Sequence, residues 1–122
     1  MNKQLTFLLS LTFLFLFSGC GEEVKKEFYE SGKLKRETHY KNGQKDGKLE
    51  GLETWWYESG KKLLETHYKN GKEEGLETWW YENGKKKSTK HFKDGIENGV
   101  RTEWNEDGKK TFQGKFVNGN EE

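Results

Sequence analysis

The chain has 122 residues, with 22 basic and 21 acidic side chains and a formal net charge of +1 at pH 7. This near balance argues against a nucleic acid as the partner, because phosphate binding requires an excess or a stripe of basic residues. The length predicts one folded domain. The single cysteine excludes an internal disulfide. The absence of proline suits a continuous sheet, since proline removes a donor from the hydrogen-bond ladder.

The chain begins with a predicted secretory signal over residues 1–19. Lys3 supplies a positive charge, and residues 5–17 form an apolar run. This run is too short to span a bilayer, which takes ~20 apolar residues in a helix. We therefore expect a cleaved signal helix that precedes the folded domain.

The end of the signal has a sequence that suggests lipid attachment. Phe17-Ser18-Gly19-Cys20 resembles the lipobox of bacterial lipoproteins. The resemblance implies cleavage before Cys20 and lipid on its sulfur and on the new N-terminus, which would anchor the protein at a membrane of the bacterial cell envelope. The alternative is a plain signal with a chance cysteine. With lipidation, residues 20–27 become a short charged tether.

Eight pairs of Ser, Asn or Asp with Gly divide the rest of the chain. From Gly60 onward, successive glycines of these pairs are 11, 13, 11, 13 and 11 residues apart. Such pairs tolerate positive φ, so each predicts a reversal of the chain. The pattern predicts an all-β fold, a single elongated antiparallel meander with a 24-residue repeat over residues 28–119 and a tail at 120–122. The pairs are Ser31-Gly32, Asn42-Gly43, Ser59-Gly60, Asn70-Gly71, Asn83-Gly84, Asp94-Gly95, Asp107-Gly108 and Asn118-Gly119.

The segments between these turns repeat as well. Residues 52–60 and 76–84 are nearly identical, and 100–108 is a weaker copy. An earlier copy at residues 28–32 is offset by 28 residues, which predicts a four-residue insertion near 47–51. A period of this size indicates a repeat array whose neighbouring units share a core.

These repeats resemble a known family. Residues 112–119 (FQGKFVNG) are similar to the YxGxWxxG signature of MORN repeats, and residues 71–75 are similar to the GxxHG that follows it. Glu74 stands in place of the histidine, as do Asp46 and Asn98 in other copies. The bacterial variant of the repeat fits better, over residues 28–119. The resemblance implies a scaffold or interaction module, with membrane-lipid association proposed for some relatives; some bacterial members are described as antitoxins.

Alternation along the strands assigns side chains to two faces. If the turns have two residues, Trp56 and Thr78 each lie opposite Leu63, whereas a three-residue turn with a Gly bulge would shift these pairs. One predicted face contains Leu52, Thr54, Trp56, Leu63, Leu76, Thr78, Trp80, Val100, Thr102 and Trp104. The other contains Trp55, Tyr57, Leu64, Tyr68, Trp79, Tyr81, Phe92, Phe112 and Phe116.

The aromatic residues have a structural interpretation, stacking across the strands, and a functional one. Trp55, Tyr57, Trp79 and Tyr81, which we term the aromatic stripe, belong to the central copies. If no second layer covers the aromatic stripe, it is an exposed band that binds a protein or a glycan.

Metal binding and catalysis are not expected, and no cofactor is predicted. Equivalent histidines (His39, His67 and His91) lie two strands apart, about 9.5 Å, whereas zinc ligands must each approach one ion to about 2.1 Å. A catalytic site needs unlike residues that converge, and nearly every polar residue here is a copy of another.

We therefore expect a non-enzymatic, lipid-anchored protein of the cell envelope whose sheet is an interaction or scaffold module. Its predicted partners are the membrane, through lipid on Cys20, and a protein or glycan. The alternative is an antitoxin or immunity-type protein that neutralises a toxin, and a third possibility is a structural surface coat. The oligomeric state stays open.

Overall fold

The computed structural model describes residues 14–18, 22–41 and 48–122. Within these residues the chain is all-β and contains no helix, which confirms the predicted antiparallel meander. The strands are β1 Leu14–Ser18, β2 Glu22–Phe28, β3 Leu34–Lys41, β4 Gly51–Trp56, β5 Lys62–Lys69, β6 Lys72–Glu73, β7 Gly75–Trp80, β8 Lys86–Lys93, β9 Ile96–Glu97, β10 Gly99–Trp104, β11 Lys110–Val117 and β12 Asn120–Glu121.

The strands form one sheet in chain order. Every neighbouring pair from β1 to β12 is antiparallel, and the short strands β6 and β9 pair with β5 and β8. Each short strand is followed at once by a longer one that pairs with the same neighbour. The sheet is therefore a meander in which β6 and β7 act as one strand with a bend between them, and so do β9 and β10.

The turns on one side of the sheet contain three residues. In the turn after β4, the Gly60 N–H donates to the Tyr57 carbonyl and the Tyr57 N–H donates to the Lys61 carbonyl, both at 2.8 Å. Gly60 has φ +89°, which favours glycine. Equivalent turns contain Gly32, Gly84 and Gly108. The two-residue expectation is wrong here, and the Gly-bulge alternative is correct.

The turns on the opposite side contain two residues. Asn70 and Gly71 have φ of 52° and 79° and connect the paired residues Lys69 and Lys72. Positive φ at both positions matches the right-handed twist of the flanking strands. Asp94-Gly95 and Asn118-Gly119 repeat this geometry. Asn42-Gly43, the remaining predicted turn, lies outside the described residues.

The three-residue turns displace the strand pairing by one position. Trp55 lies opposite Leu64 as expected, but the next residue, Trp56, lies opposite Lys62. Leu63 becomes the extra residue of a bulge. The prediction that Trp56 lies opposite Leu63 is therefore wrong, because the loop begins one residue earlier than in a two-residue hairpin.

A second displacement occurs where β6 meets β7. Tyr68 lies opposite Glu73, whereas Glu65 lies opposite Thr78, so the two registers on β5 differ by two residues. A kink at Gly75, with φ +88°, accommodates the two additional residues. The same offset separates β9 from β10 along β8.

The predicted division into faces survives this second displacement. Thr78 is not opposite Leu63, as we expected, but a shift of two residues keeps each side chain on its own face. One row across the sheet consists of Thr54, Glu65, Thr78, Thr89 and Thr102. The row on the other face consists of Trp55, Leu64, Trp79, Ser88 and Glu103.

The interior of this single-layer sheet is thin and largely polar. Phe116, with 8% of its surface exposed, is the one buried apolar residue of the described part of the chain. The other buried residues are Thr38, Glu53, Thr54, Thr66, Glu77, Thr78 and Thr102. Threonine suits a half-covered strand because its branched side chain packs against cross-strand neighbours. Cross-strand pairs and ladder hydrogen bonds therefore replace a thick apolar core.

Hydrogen bonds between turns join successive units. The Glu74 carboxylate accepts from the Asp94 N–H at 2.9 Å, and the Glu50 carboxylate accepts from the Asn70 N–H at 2.7 Å. Glu50 thus takes the place of Glu74 in the preceding unit. We expected Asp46 there, a residue outside the described part of the chain.

The sheet extends beyond its predicted limits at both ends. The helix expected for the signal is wrong over residues 14–18, which form β1 and pair with β2. β2 itself includes most of the predicted tether, and β12 includes most of the predicted tail. An unpaired strand edge offers free backbone groups, so adjoining chain with strand-forming residues adds to it.

Candidate interaction surface

The two tryptophans of the aromatic stripe are held by buried carboxylates on their own strands. The Trp55 indole N–H donates to Glu53 Oε1 at 2.5 Å, and the Trp79 indole N–H donates to Glu77 Oε1 at 2.6 Å. Each glutamate is only 6% exposed. A buried carboxylate requires such donors, because an unpaired one would be strongly destabilising. The indole orientation is therefore fixed by a contact two residues away.

Other groups complete the surroundings of the first tryptophan. The Thr38 hydroxyl donates to Glu53 Oε2 at 3.2 Å. The Arg36 guanidinium lies 4.8 Å from the centre of the Trp55 ring and forms an ion pair with Glu27 at 2.9 Å. A guanidinium over an indole face is a favourable cation–π contact.

The two tyrosines of the aromatic stripe connect one unit to the next. The Tyr57 hydroxyl donates to the Trp80 carbonyl at 2.7 Å, and the Tyr81 hydroxyl donates to the Trp104 carbonyl at 2.9 Å. Tyr29, which precedes the aromatic stripe, makes the same bond to Trp56 at 2.7 Å. The polar atoms of these tyrosines are thus used inside the sheet.

The structure places the four stripe residues on one sheet, in two unit-related pairs. Leu64 lies between Trp55 and Trp79, opposite both of them. All four stripe residues are half-buried. Within the described residues the sheet is a single layer, so no second layer packs on these rings. Binding by the aromatic stripe stays a prediction.

Sequence reasoning missed the residues that orient the stripe. Glu53 and Glu77 were not singled out, although each precedes its tryptophan by two positions in a repeated Glu-Thr-Trp pattern. Residues two apart on a strand share a face, so the pattern was a usable signal. Arg36 gave no such signal, because its contact with Trp55 depends on the register between β3 and β4.

Acidic groups and a tyrosine lie beside this surface. Burial raises the pKa of Tyr68 to about 12, with further contributions from the charges of Glu53, Glu73 and Glu77. Burial and the charge of Glu77 also raise the pKa of Glu73, while Lys90 opposes that shift. The carboxylates of Glu53, Glu73 and Glu77 therefore lie close enough to Tyr68 to oppose the loss of its proton.

A shallow groove of about 470 Å³ begins at the second half of the aromatic stripe. Trp79 and Tyr81 line one side and Glu103 lines the other, with Ser88 between them. Register explains the arrangement, because Ser88 lies opposite Trp79 on β7 and opposite Glu103 on β10.

The three equivalent histidines are not gathered into a site. His39 lies 3.1 Å from Glu37, His91 lies 3.0 Å from the Val100 carbonyl, and His67 is exposed. In residues 14–18, 22–41 and 48–122, no group of three or more His, Cys, Asp or Glu is placed to hold a metal ion.

The predicted lipidation residue, Cys20, lies outside the described residues. In the part of the chain that the structure describes, no helix has the length and apolar character needed to cross a membrane.

These features define a class: a single-sheet repeat protein whose units are related by 24 residues and joined through their turns. The sequence profile described as MORN repeat variant matches residues 24–42, 49–70 and 73–94, more than half of the chain. The chain therefore belongs to that family, whose repeats are generally modules for protein or membrane interaction. No curated protein matches the chain.

Proposed function

We propose that this protein is a non-enzymatic interaction module of the bacterial cell envelope. Lipid on Cys20 holds it at a membrane, and the aromatic stripe contacts a protein or glycan partner. The observation on which this proposal rests is the row Trp55, Leu64 and Trp79, which lies on a single-layer sheet with both indoles held in place.

Fixed aromatic rings are suited to binding. The indole N–H groups and tyrosine hydroxyls already have partners within the sheet, so the rings offer their faces to a ligand. Large rings that are already immobile lose little conformational entropy when a partner binds. The apolar Leu64 side chain between the tryptophans adds to the contact area.

The proposed anchor would place this surface near the membrane. The lipobox resemblance implies lipid on Cys20, and β2 begins at Glu22. Cleavage before Cys20 would remove β1, so the sheet of the mature chain would begin with β2, two residues after the anchor, and would have little freedom to move away from the bilayer surface. The partner is therefore a component of the same membrane surface or of the layer next to it.

The anchor is tested by labelling cells with radioactive palmitate and separating membrane from soluble fractions. The wild-type chain is expected to incorporate label and to remain with the membranes. The Cys20→Ala variant is expected to lose the label. Equal labelling of both chains, or no label in either, would contradict the proposed lipid anchor.

The interaction surface is tested by cross-linking in the native cell. Leu64→Ser removes the apolar side chain between the tryptophans and uses the residue that the next unit has at Ser88, so the fold should tolerate it. The matched control is Ser59→Asn, because Asn83 occupies the equivalent turn position. Circular dichroism checks folding. We expect the control to keep the cross-linked partner and Leu64→Ser to reduce it severalfold.

Two outcomes separate the other functions. A recovered partner that is toxic by itself and is neutralised by this chain would favour the antitoxin alternative. A chain that is abundant at the envelope but cross-links to no specific partner would favour the structural coat and contradict the interaction module.

A further inference from the structure

The groove next to Trp79 arises where two successive units differ in sequence. In the central unit, Leu64 lies between Trp55 and Trp79. One unit later, Ser88 takes the place of Leu64 and lies between Trp79 and Glu103. A small hydroxyl side chain thus replaces a leucine, and a carboxylate replaces an indole. The groove lies in the space that these replacements leave.

Two further replacements make this groove more polar. Lys87 stands where the preceding unit has Leu63, and Asn105 stands where it has Tyr81. Both residues line the groove. The Lys87 ammonium lies 5.6 Å from the centre of the Tyr81 ring, which keeps its positive charge at the groove. The aromatic side of the groove is therefore preserved while the floor and the far side become hydrophilic.

We propose that this groove binds an acidic saccharide, one that carries a carboxylate on its sugar ring. Sugar rings have C–H faces that pack on aromatic rings and hydroxyls that both donate and accept hydrogen bonds. Trp79 supplies such a ring, and its indole N–H is already bound to Glu77. Ser88 and Asn105 both donate and accept. The proposal rests on the proposed role of the aromatic stripe as a contact surface.

The charges at the groove favour an anionic ligand. Among the described residues, neither Lys87 nor Lys90 forms an ion pair, although Lys90 lies opposite Glu77 on the neighbouring strand. Glu103, the carboxylate of the groove, is 3.9 Å from the Arg101 guanidinium. Arg101 is held mainly by Glu97, so the positive charge at the groove comes from Lys87 and Lys90, which outnumber Glu103 and leave Lys87 available for a ligand carboxylate.

The width of the groove and the paired backbone groups of the strand at its floor favour a saccharide over an extended peptide. The strands that bear Trp79 and Glu103 are two spacings apart, about 9.6 Å at ~4.8 Å per strand. The intervening strand is paired on both sides at Ser88. Its ladder groups are therefore used, whereas a peptide that binds by strand addition needs a free edge.

The test measures binding of tetragalacturonate to the full chain by calorimetry and by tryptophan fluorescence. Its neutral counterpart, tetragalactose of the same linkage, and tetraglutamate are measured in parallel. We expect saturable binding of tetragalacturonate, weaker binding of tetragalactose and no comparable binding of tetraglutamate. Affinity for the acidic saccharide should fall as salt is added, because the ammonium groups are exposed to screening.

Substitutions at Ser88 and Lys87 test whether the saccharide binds in this groove. Ser88→Leu fills the groove with the side chain found at Leu64 and should weaken tetragalacturonate binding at least about tenfold. Lys87→Gln should weaken the acidic tetrasaccharide but leave the neutral one unchanged. Ser59→Asn is the control and should bind as the wild type does. Circular dichroism confirms that each variant is folded.

Three results would overturn the acidic-saccharide site. These are no saturable binding to the wild type, undiminished binding to folded Ser88→Leu, and tetraglutamate binding as tight as that of tetragalacturonate. Membrane fractionation and cellular cross-linking of Ser88→Leu are measured separately. If they are unchanged while saccharide binding is absent, the interaction module survives and only the groove assignment fails.

Discussion

The hydroxyl of Tyr81 donates a hydrogen bond of 2.9 Å to the carbonyl oxygen of Trp104, 23 residues further along the chain. Tyr57 forms the same bond to Trp80 at 2.7 Å. Each bond leads from the start of one three-residue turn to the last residue of the corresponding strand in the next unit. These tyrosines therefore hold successive units in fixed alignment at one side of the sheet.

Removal of this hydroxyl should destabilise the sheet. We expect Tyr81→Phe to lower the free energy of unfolding by about 0.5–1.5 kcal/mol, the usual net contribution of one hydrogen bond. Urea denaturation followed by circular dichroism measures the change. The control is Tyr68→Phe, because the Tyr68 hydroxyl forms no hydrogen bond with the described residues. Equal losses in the two variants would mean that the connecting bond contributes nothing.

Gly75 and Gly99, which begin β7 and β10 where the strand pairing shifts by two residues, should differ in their tolerance of a methyl group. A Cβ at Gly75 meets nothing within 4 Å, so Gly75→Ala should cost only the strain of positive φ, about 1–2 kcal/mol. A Cβ at Gly99 would lie 2.7 Å from the Cβ of His91, where the chain has no flexible group to move aside. Gly99→Ala should therefore lose clearly more stability than Gly75→Ala in urea titrations. Matching losses would show that φ alone determines the cost.

Glu73 should make stability depend on pH in the acid range. Burial first, and then the charge of Glu77, raise the pKa of Glu73 above its ordinary value of 4.5. The folded chain therefore holds this proton more tightly than the unfolded chain, so stability falls as pH rises from 4.5 through the raised pKa. Glu73→Gln should flatten this fall and be more stable than the wild type at pH 7.

The control for that experiment is Glu58→Gln, which removes the same charge from an exposed residue in a turn. Thermal unfolding at a series of pH values compares the three chains. The assignment to Glu73 would be wrong if Glu58→Gln flattened the pH profile as much, or if Glu73→Gln left it unchanged.

Arg101 should not be replaceable by lysine without loss. Its Nε donates to Glu97 Oε1 at 2.8 Å, and its guanidinium lies 4.2 Å from the centre of the Phe116 ring. Lysine retains the charge but neither the paired donors nor the flat stacking surface. We expect Arg101→Lys to lose about 1 kcal/mol. Lys93→Arg, at an exposed position, is the control for a change between the two cations. Unchanged stability of Arg101→Lys would show that charge alone is sufficient.

The positions of the turns were predictable because their chemistry is local, whereas the three-residue length of the turns at Gly32, Gly60, Gly84 and Gly108 was not. Asn70-Gly71 adopts positive φ at both positions, as its residue types indicate. The division into faces was predictable because it needs only alternation, which is why Trp55 and Trp79 were assigned to one face correctly. The carboxylate that orients each indole was also encoded locally, two residues before it in the Glu-Thr-Trp pattern.

The groove was not predictable in the same way. Ser88 and Glu103 are 15 positions apart in the chain, and their apposition depends on the bend between β9 and β10. The sequence places Ser88 where the preceding unit has Leu64, but it does not show that this replacement opens a space beside Trp79.

The amino-acid sequence alone determined where this chain reverses and which side chains share a face, because glycine turns and strand alternation act over a few neighbouring residues. Only the tertiary structure decided which residues lie opposite one another. The bulges at the three-residue turns and the kinks at Gly75 and Gly99 add residues to one strand and not to its neighbour. The number of residues that each bulge or kink adds depends on how two whole strands fit together, and a short segment of sequence does not carry that information.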